Sequence, residues 1–304
     1  MSRRFDLQGH RGARGLFPEN TLEGFRAALA IGVDAFELDV GLSADGVPVV
    51  HHDLALNPAI ARGPDGAWLT PPTPTLHSMT LAEIGSWDVG RLRPGSAYAA
   101  TFPDQQPMDG ARIPTLAEVL ALDPEVRFTL ELKTDPTRPD ATVPATVLAE
   151  AALAVVEQAG ASGRVMFESF DWRGPRHLRR LRPALKLAWL TNAQTVAEAA
   201  LWWDGKRPED FGGSVPRAVA AEGGNVWAPA HEDLTEAALA EAHALGLGVL
   251  PWTVNQPEDM RRLIGWGVDG LITDFPDRAR DVLRAAGMPL PPGRPGTGQM
   301  GGRA

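Results

Sequence analysis

Strand-like apolar runs alternate with helix-like segments along most of this chain, and that alternation limits the possible fold more than any other feature. Eight such units can be counted. The predicted strands are residues 5–9, 35–40, 127–133, 164–168, 186–190, 225–228, 248–253 and 270–273. The predicted helices are residues 21–30, 144–159, 173–181, 195–203, 236–245, 257–265 and 276–286, and Asn20 with Glu23 suits the N-cap of the first of them. Strands that alternate with helices in this way indicate a parallel sheet wrapped by helices.

Charged residues two positions apart stand out on two of the predicted strands. Glu37 and Asp39 are two residues apart, so their side chains point to the same side of the sheet, where they repel each other unless a cation lies between them. Glu131 and Lys133 repeat this spacing at the end of another apolar run. Three carboxylates and a lysine are suited to a hard cation that holds a phosphate group.

Two histidines follow strand-like runs. His10 comes directly after the first strand, and His52 follows the apolar run 47–50. A histidine at a strand end is often only a packing residue, but two near a cation site suit the cleavage of a phosphodiester, which needs one group to accept a proton and another to donate one. His51 would point away from His52, and we leave it out of the site. Asp53 is predicted either to orient His52 or to cap the next turn.

The chain resembles the glycerophosphodiester phosphodiesterase family. The resemblance is carried by HRG and PENT from His10 onward, by Glu37-Leu38-Asp39 followed by the run from Asp45 to Asp53, by Glu131-Leu132-Lys133, and by the segments Trp252–Asn255 and Ile272–Pro276. These motifs extend over nearly the whole chain. The resemblance implies a TIM-type (β/α)₈ barrel, a divalent cation, and hydrolysis of glycerophosphodiesters to glycerol 3-phosphate and an alcohol.

The resemblance also implies roles for single residues. His10 and His52 would be the acid and the base, which exchange roles around a cyclic phosphate, and Glu37, Asp39 and Glu131 would hold Mg²⁺ or Ca²⁺, between which the ligands do not choose. Arg11 and Lys133 would bind phosphate oxygens, although Arg11 could instead pair with Glu19. Trp252 and Phe170 would line the glycerol pocket, with a core aromatic as the alternative for Trp252. Asp274 is expected to cap the last helix, and Glu168 has no assigned role.

Residues 54–124 interrupt the alternation. This stretch is rich in Pro, Gly and Thr and is too long for an ordinary loop between a strand and a helix. We expect an insertion that covers the active-site mouth and selects the substrate, with short helices near 81–86 and 116–122. Residues 1–288 would otherwise form one barrel domain, a size that suits a (β/α)₈ fold. The Pro- and Gly-rich tail, residues 289–304, is predicted to be a mobile extension.

Composition restricts the function further. The chain has no cysteine, so neither a disulfide nor a thiol nucleophile is available. The net charge of −9 argues against nucleic-acid binding, and the partner is expected to be a small-molecule substrate. We see neither a signal peptide nor an apolar run that approaches a membrane span, which predicts a cytoplasmic protein without stable membrane insertion. The oligomeric state cannot be inferred from the sequence.

Two other functions compete with this prediction. A phospholipase D-type hydrolase of lysophospholipids would use the same site but would need an exposed apolar surface at the mouth. The insertion contains Trp68, Trp87, Phe102 and Met108, yet no contiguous membrane-binding stretch. A binding or scaffolding barrel without catalysis is the third possibility, and the presence of every metal-binding and proton-transfer residue argues against it.

Overall fold

The protein, described here for residues 4–294 by a computed structural model, contains a nearly closed parallel barrel. Its strands are β1 Asp6–His10, β2 Ala35–Leu42, β3 Pro48–Val50, β4 Arg127–Leu132, β5 Val165–Ser169, β6 Lys186–Thr191, β7 Val226–Pro229, β8 Gly248–Val249 and β9 Gly270–Thr273. The order around the sheet is β8-β7-β6-β5-β4-β2-β1-β9, and all of these pairs are parallel. Only β3 pairs antiparallel, on β2. Backbone hydrogen bonds from Asp269 to Val249 and from Ile272 to Pro251 join β9 to the β8 region. The predicted (β/α)₈ barrel with an insertion is confirmed.

The helices lie in the connections between the strands. They are α1 Leu22–Ile31, α2 Leu81–Ile84, α3 Ala97–Thr101, α4 Leu116–Leu120, α5 Ala145–Gln158, α6 Arg173–Leu181, α7 Ala193–Ala197, α8 Ala199–Trp202, α9 Val215–Ala221, α10 Glu236–Ala244, α11 Pro257–Trp266 and α12 Pro276–Ala285. Their apolar sides pack on strands that are themselves buried, and all eight residues of β2 are buried. Buried parallel strands of this kind are typical of α/β proteins.

The observed elements differ from the predicted ones at a few places. The strand expected over 248–253 is regular only at Gly248–Val249, and Pro251 has no amide hydrogen with which to continue a ladder. The helix expected over 195–203 is divided at Glu198 into α7 and α8. Helices α3 and α9 were not predicted, although Ser214 caps α9 and Pro216 lies in its first turn.

The cap of α1 is Thr21 and not Asn20. The Thr21 hydroxyl accepts a hydrogen bond from the Gly24 amide. Asn20 has a left-handed backbone (φ 53°), and its side chain turns away from the helix to donate a hydrogen bond to Asp39. The N-cap prediction for Asn20 is therefore wrong, because this side chain serves a contact with β2.

The insertion has an apolar core of its own. Its residues Leu56, Ile60, Leu76 and Ile84, with several others, form a buried cluster together with Val49 of β3. The Gln106 amide and the Gln105 side chain also donate hydrogen bonds to carbonyl groups of the loop after β1. The insertion is thus a packed unit attached to the carboxyl end of the barrel. That it covers the active-site mouth to select the substrate stays a prediction.

The first part of the C-terminal tail is held against the barrel. Pro291 is buried, and its carbonyl oxygen accepts a hydrogen bond from Arg280. Arg294 forms an ion pair with Asp123 at 2.9 Å, and its amide donates to Leu29. These contacts place Pro291 and Arg294 against the barrel, residues 295–304 lie outside the described part, and the mobility of the tail stays a prediction.

One helical stretch is long and apolar enough to cross a membrane by length and composition. It spans Pro139–Gln158, 20 residues that include α5, which corrects the expectation that no run approaches this length. Leu148, Ala152 and Val156 of α5 are fully buried against the barrel. A helix packed on a protein core meets the same criterion, so this stretch is weak evidence for a membrane span.

Candidate active site

Two adjoining cavities open at the carboxyl end of the barrel, where barrel enzymes place their active sites. The smaller cavity has a volume of about 180 Å³ and lies over the strand ends. The larger, about 310 Å³, adjoins it and is lined in part by residues of the insertion. Both are lined by His52, Glu131, Lys133 and Phe170. Eight of the nine sequence-predicted site residues line the smaller cavity, and the ninth, Asp39, lies buried beside it: the cavity is lined by His10, Arg11, Glu37, His52, Glu131, Lys133, Phe170 and Trp252.

Three carboxylates converge beside the smaller cavity. Glu37 and Asp39 project from β2 and Glu131 from β4, and each offers an oxygen within 4.8 Å of the others. All three are buried, and Asp39 Oδ1 has no hydrogen-bond partner. Burial, together with Asp39 and Glu168, raises the pKa of Glu37 well above its usual range. Buried carboxylates this close repel one another, and an unpartnered oxygen among them is suited to a hard divalent cation, so these residues fit the expected metal.

Glu168 is a fourth buried carboxylate, next to the three. It lies on β5 directly beside Glu131 of β4, but it does not belong to the group whose oxygens lie within 4.8 Å. Its Oε2 has no hydrogen-bond partner. Burial, and then the charges of Glu131 and Asp39, raise the pKa of Glu168 well above its usual range.

Two cationic side chains offset this negative charge. Lys133 Nζ lies 2.7 Å from Glu131 and 3.6 Å from Asp39. Arg11 donates to Glu19 at 2.8 Å, and its Nε lies 3.2 Å from Asp39 without the alignment of a hydrogen bond. Burial alone would raise the pKa of Asp39, but the charge of Arg11 holds that pKa below its usual range. The sequence predicted either a salt bridge to Glu19 or a place in the binding site for Arg11. In the structure Arg11 both pairs with Glu19 and lines the smaller cavity.

The backbone after β1 folds tightly to position Arg11. A Cβ atom at Gly9 would lie 1.9 Å from the Gly12 carbonyl oxygen, so only glycine fits there. Arg11 itself has a left-handed backbone (φ 51°), which is uncommon for a residue other than glycine and typical of functional sites. Its amide donates a hydrogen bond to Glu37 Oε2 at 3.1 Å. The turn therefore fixes both ends of Arg11 against the carboxylates of β2.

His10 is held by a carboxylate from the far end of the chain. Its Nδ1 lies 2.6 Å from Asp274 Oδ1, and its Nε2 lies 3.6 Å from Glu37. Arg14 also donates two hydrogen bonds of 2.9 Å to Asp274. Burial lowers the pKa of His10 to about 4 against the attraction of Asp274. The prediction that Asp274 caps the last helix is wrong, since α12 begins after Phe275 and the Asp274 side chain turns to His10.

His52 has a similar but more exposed arrangement. Its Nδ1 lies 2.7 Å from Asp53 Oδ1, which corresponds to the orienting role among the two considered for Asp53. Burial, with Arg11 and Lys133 acting in the same direction, lowers the pKa of His52 to about 4. His51 is buried and does not line either cavity. Because Nδ1 of His10 and Nδ1 of His52 are each paired with a carboxylate, Nε2 of each ring is available for proton transfer.

Aromatic side chains form another part of the wall of the smaller cavity. Phe170 and Trp252 meet edge to face, with ring centroids 5.3 Å apart, and both line the smaller cavity. Trp252 Nε1 donates to the Ala228 carbonyl oxygen, which fixes the orientation of the indole. Both rings pack on a small apolar cluster of Ala188, Leu190 and Ala228. Trp252 is half-buried, so it is a cavity wall as well as a core contact.

Sequence reasoning missed several residues that hold this site together. Asn20 donates to Asp39 at 2.8 Å, and Asn255 donates to Asp274 at 2.7 Å. Tyr98, the single tyrosine of the chain, donates from the insertion to Glu19. Asn20 and Asn255 lie inside the motifs PENT and Trp252–Asn255, a signal that could have identified them. Tyr98 has no comparable signal.

A cavity at the carboxyl end of a (β/α)₈ barrel, lined by carboxylates, histidines and an aromatic wall, is typical of a barrel enzyme, and comparison with known proteins specifies the family. The model of the glycerophosphoryl diester phosphodiesterase family matches residues 10–278. The chain therefore belongs to this family of phosphoric diester hydrolases, and the resemblance noted in the sequence is confirmed.

Individual relatives agree over nearly the full length. A glycerophosphodiester phosphodiesterase from Caldanaerobacter subterraneus is 29% identical, over 91% of this chain and 97% of its own. The crystal structure of a candidate glycerophosphoryl diester phosphodiesterase from Silicibacter pomeroyi is 41% identical with a TM-score of 0.85, covering 95% of this chain and 96% of that chain. A phosphodiesterase from Oleispira antarctica, solved with the product sn-glycerol 3-phosphate, is 22% identical with a TM-score of 0.69, covering 92% and 96%. The last of these shows a common fold alone.

Proposed function

We propose that this protein hydrolyses glycerophosphodiesters to glycerol 3-phosphate and an alcohol, with a divalent cation and with His10 and His52 as the acid–base pair. The observation that carries the proposal is the cavity in which both histidines, Arg11 and Lys133 surround the carboxylates of β2 and β4. The family membership of the chain supports the substrate class.

Glu37, Asp39 and Glu131 would hold the cation, which is Mg²⁺ or Ca²⁺ because all three ligands offer oxygen. When bound, the cation neutralises phosphate charge and stabilises the charge that develops in the transition state. Arg11 and Lys133 bind the remaining phosphate oxygens. Their positive charge lies at the cavity wall because their carboxylate partners hold them there.

The two histidines carry the protons in two steps. In the first step, one imidazole accepts the proton of the glycerol hydroxyl next to the phosphate as this oxygen bonds to phosphorus, and the other protonates the departing alcohol as its P–O bond breaks. In the second step, water opens the resulting cyclic phosphate and the histidines exchange roles. Asp274 and Asp53 fix the orientation of each ring and stabilise its charged form.

Each of the two cavities suits one part of the substrate. The smaller one suits the glycerophosphoryl group, with its carbon atoms against Phe170 and Trp252. The larger one is lined by Leu54–Pro58 and Thr73 of the insertion and suits the alcohol. The choice of alcohol would then be made by the insertion.

A lysophospholipid hydrolase is less well supported. Among residues 4–294 the exposed large apolar residues are Val147, Leu181, Leu201 and Leu245, none of which belongs to the insertion. Phe102 of the insertion is buried. A lipid substrate would be better served by apolar side chains that face outward at the mouth.

One assay tests these alternatives. Purified protein, first treated with a chelator and then supplied with Mg²⁺ or Ca²⁺, is given glycerophosphocholine or lysophosphatidylcholine, and release of choline and of glycerol 3-phosphate is measured. We expect metal-dependent release of both products from glycerophosphocholine. Cleavage of lysophosphatidylcholine alone would support the phospholipase, and no cleavage of either would support a binding protein. The cytoplasmic location stays a prediction.

A further inference from the structure

Glu168 has no role in the proposed reaction, although it lines the smaller cavity. It projects from β5 into the smaller cavity and is 1% exposed. Most other acids near this cavity are already engaged: Glu19 with Arg11 and Tyr98, Asp274 with His10 and Arg14, and Asp53 with His52. A buried carboxylate oxygen without a hydrogen-bond partner is costly unless a ligand satisfies it.

Glu168 does not belong to the group of carboxylates that is expected to hold the cation. Asp39, Glu131 and Glu168 follow one another across β2, β4 and β5, yet only the first two join Glu37 within 4.8 Å. Glu168 therefore lies at the border of the carboxylate group. On its other side the sheet continues with Ala188, a member of the apolar cluster that carries Phe170 and Trp252.

This border is where the carbon chain of a glycerophosphoryl group would lie. Its phosphate and the adjacent hydroxyl belong near His10, His52, Arg11 and Lys133, and its carbon atoms belong against the aromatic wall. The hydroxyl farthest from the phosphate is then left beside the acidic border of that wall. A hydroxyl both donates and accepts hydrogen bonds, so it can pair with a carboxyl group in either protonation state.

We propose that Glu168 binds the distal hydroxyl of the glycerol moiety and thereby selects glycerol over shorter or deoxygenated diols. This inference rests on the proposed function and names the group that recognises its substrate. Loss of a hydrogen bond that involves a charged group, in a cavity that leaves its partner unsatisfied, corresponds to a selectivity of roughly 10- to 100-fold.

The test compares glycerophosphocholine with 2-hydroxypropyl phosphocholine, which keeps the attacking hydroxyl and lacks the distal one. We expect the wild-type protein to prefer glycerophosphocholine in kcat/KM by about 10- to 100-fold. Glu168→Ala should bring the ratio close to one through a loss on the glycerol substrate alone. Glu168→Gln, which can still form a hydrogen bond, should keep part of the preference. Glu222→Gln, a buried glutamate paired with Arg176 outside the site, serves as the matched control and should keep the full ratio.

Binding is measured separately by calorimetry, with Mg²⁺, glycerol 3-phosphate and 2-hydroxypropyl phosphate as ligands. Glu168→Ala should bind Mg²⁺ as the wild-type protein does and should lose its preference for glycerol 3-phosphate. Equal losses on both substrates, an unchanged ratio, or a weakened affinity for Mg²⁺ would each overturn the inference. If the wild-type protein cleaves neither diester, the proposed function fails, and the preference between the two phosphates still decides the role of Glu168.

Discussion

Asp274 Oδ1 lies 2.6 Å from His10 Nδ1, although the two residues are 264 positions apart in the chain. Asp274 follows the last strand and His10 ends the first, and these two strands are neighbours because the barrel closes there. Arg14 and Asn255 complete the contacts of the carboxylate. A carboxylate held by three partners keeps the imidazole in one tautomer with Nε2 toward the cavity.

The first prediction concerns this pair. Asp274→Asn removes the charge that stabilises the imidazolium and should lower kcat by about 10²-fold or more, with KM changed little. Steady-state kinetics on glycerophosphocholine measure both constants. Asp277→Asn, an exposed aspartate in the first turn of α12, is the matched control and should behave like the wild-type protein. A kcat within threefold of the wild-type value would contradict an orienting role for Asp274.

The second prediction concerns the acid–base pair itself. Replacing His10 or His52 with alanine should lower turnover by about 10²–10⁴-fold, the usual range for a positioned proton-transfer group. A p-nitrophenyl diester of glycerol phosphate needs no protonation of its leaving group, so it should restore activity in the variant that lacks the first-step acid. His51→Ala should cost little. The assignment is wrong if neither variant slows glycerophosphocholine cleavage tenfold, or if the His51 variant is as damaged as the His52 variant.

The third prediction concerns cation binding and pH. Glu37, Glu131 and Glu168 have raised pKa values in the metal-free fold, mainly because they are buried. The contribution of these three groups to the free energy of unfolding is fully present below the unfolded pKa of about 4.5, where they are protonated. It is lost as the pH rises through their folded pKa values. The metal-free protein is thus penalised at neutral and higher pH, and a bound cation relieves that penalty.

A saturating cation should therefore raise Tm, and the increase should grow from pH 5 to pH 8. At 100 times Kd the stabilisation is about 2.7 kcal/mol, or roughly 4 °C in a domain of this size. The low pKa of His10 and His52 acts oppositely, destabilising the fold below pH 6.5, but this effect is present with and without the cation. Calorimetric scans with Mg²⁺ or chelator measure the difference. If the cation raised the Tm of Glu37→Gln as much as that of the wild-type protein, the cation would have to bind at another site.

The sequence predicted the barrel well because hydrophobic periodicity is a local property. Seven of the eight barrel strands were predicted within two residues of their observed ends, and the exception is the strand at Gly248, where Pro251 interrupts the pairing. The split of the helix at Glu198 depends on how the chain packs, which periodicity does not report.

The site was predicted in part for a related reason. Glu37, Asp39 and Glu131 have a spacing that fixes their side of the sheet, so their proximity follows from the fold. Asp274 contacts a residue 264 positions away in the chain, and Tyr98 contacts one 79 positions away. No local sequence pattern indicates which distant side chain each of them contacts. Their roles depend on barrel closure and on the way in which the insertion docks.

The fourth prediction concerns that docking. The Tyr98 hydroxyl donates to Glu19, which holds Arg11, so Tyr98→Phe should loosen a phosphate-binding side chain. We expect KM to rise severalfold with a smaller change in kcat, and the free energy of unfolding to fall by about 1 kcal/mol. Thr101→Ala in the same helix α3, whose hydroxyl bonds only to its own helix, is the control. A loss of stability with an unchanged KM would make Tyr98 a structural anchor only.

The last prediction concerns the choice of alcohol. Asn57 and Thr73 come from the insertion and line the larger cavity, but they do not line the smaller one. Replacing both with alanine should change the relative kcat/KM for glycerophosphocholine, glycerophosphoethanolamine and glycerophosphoinositol, because hydrogen-bonding groups beside the alcohol are removed. The affinity for Mg²⁺ and the inhibition by glycerol 3-phosphate should remain near the wild-type values, since the carboxylates and the smaller cavity are untouched. An unchanged ranking would mean that the insertion covers the site without selecting the substrate, whereas a parallel loss on all three substrates would mean that it shapes the catalytic centre itself.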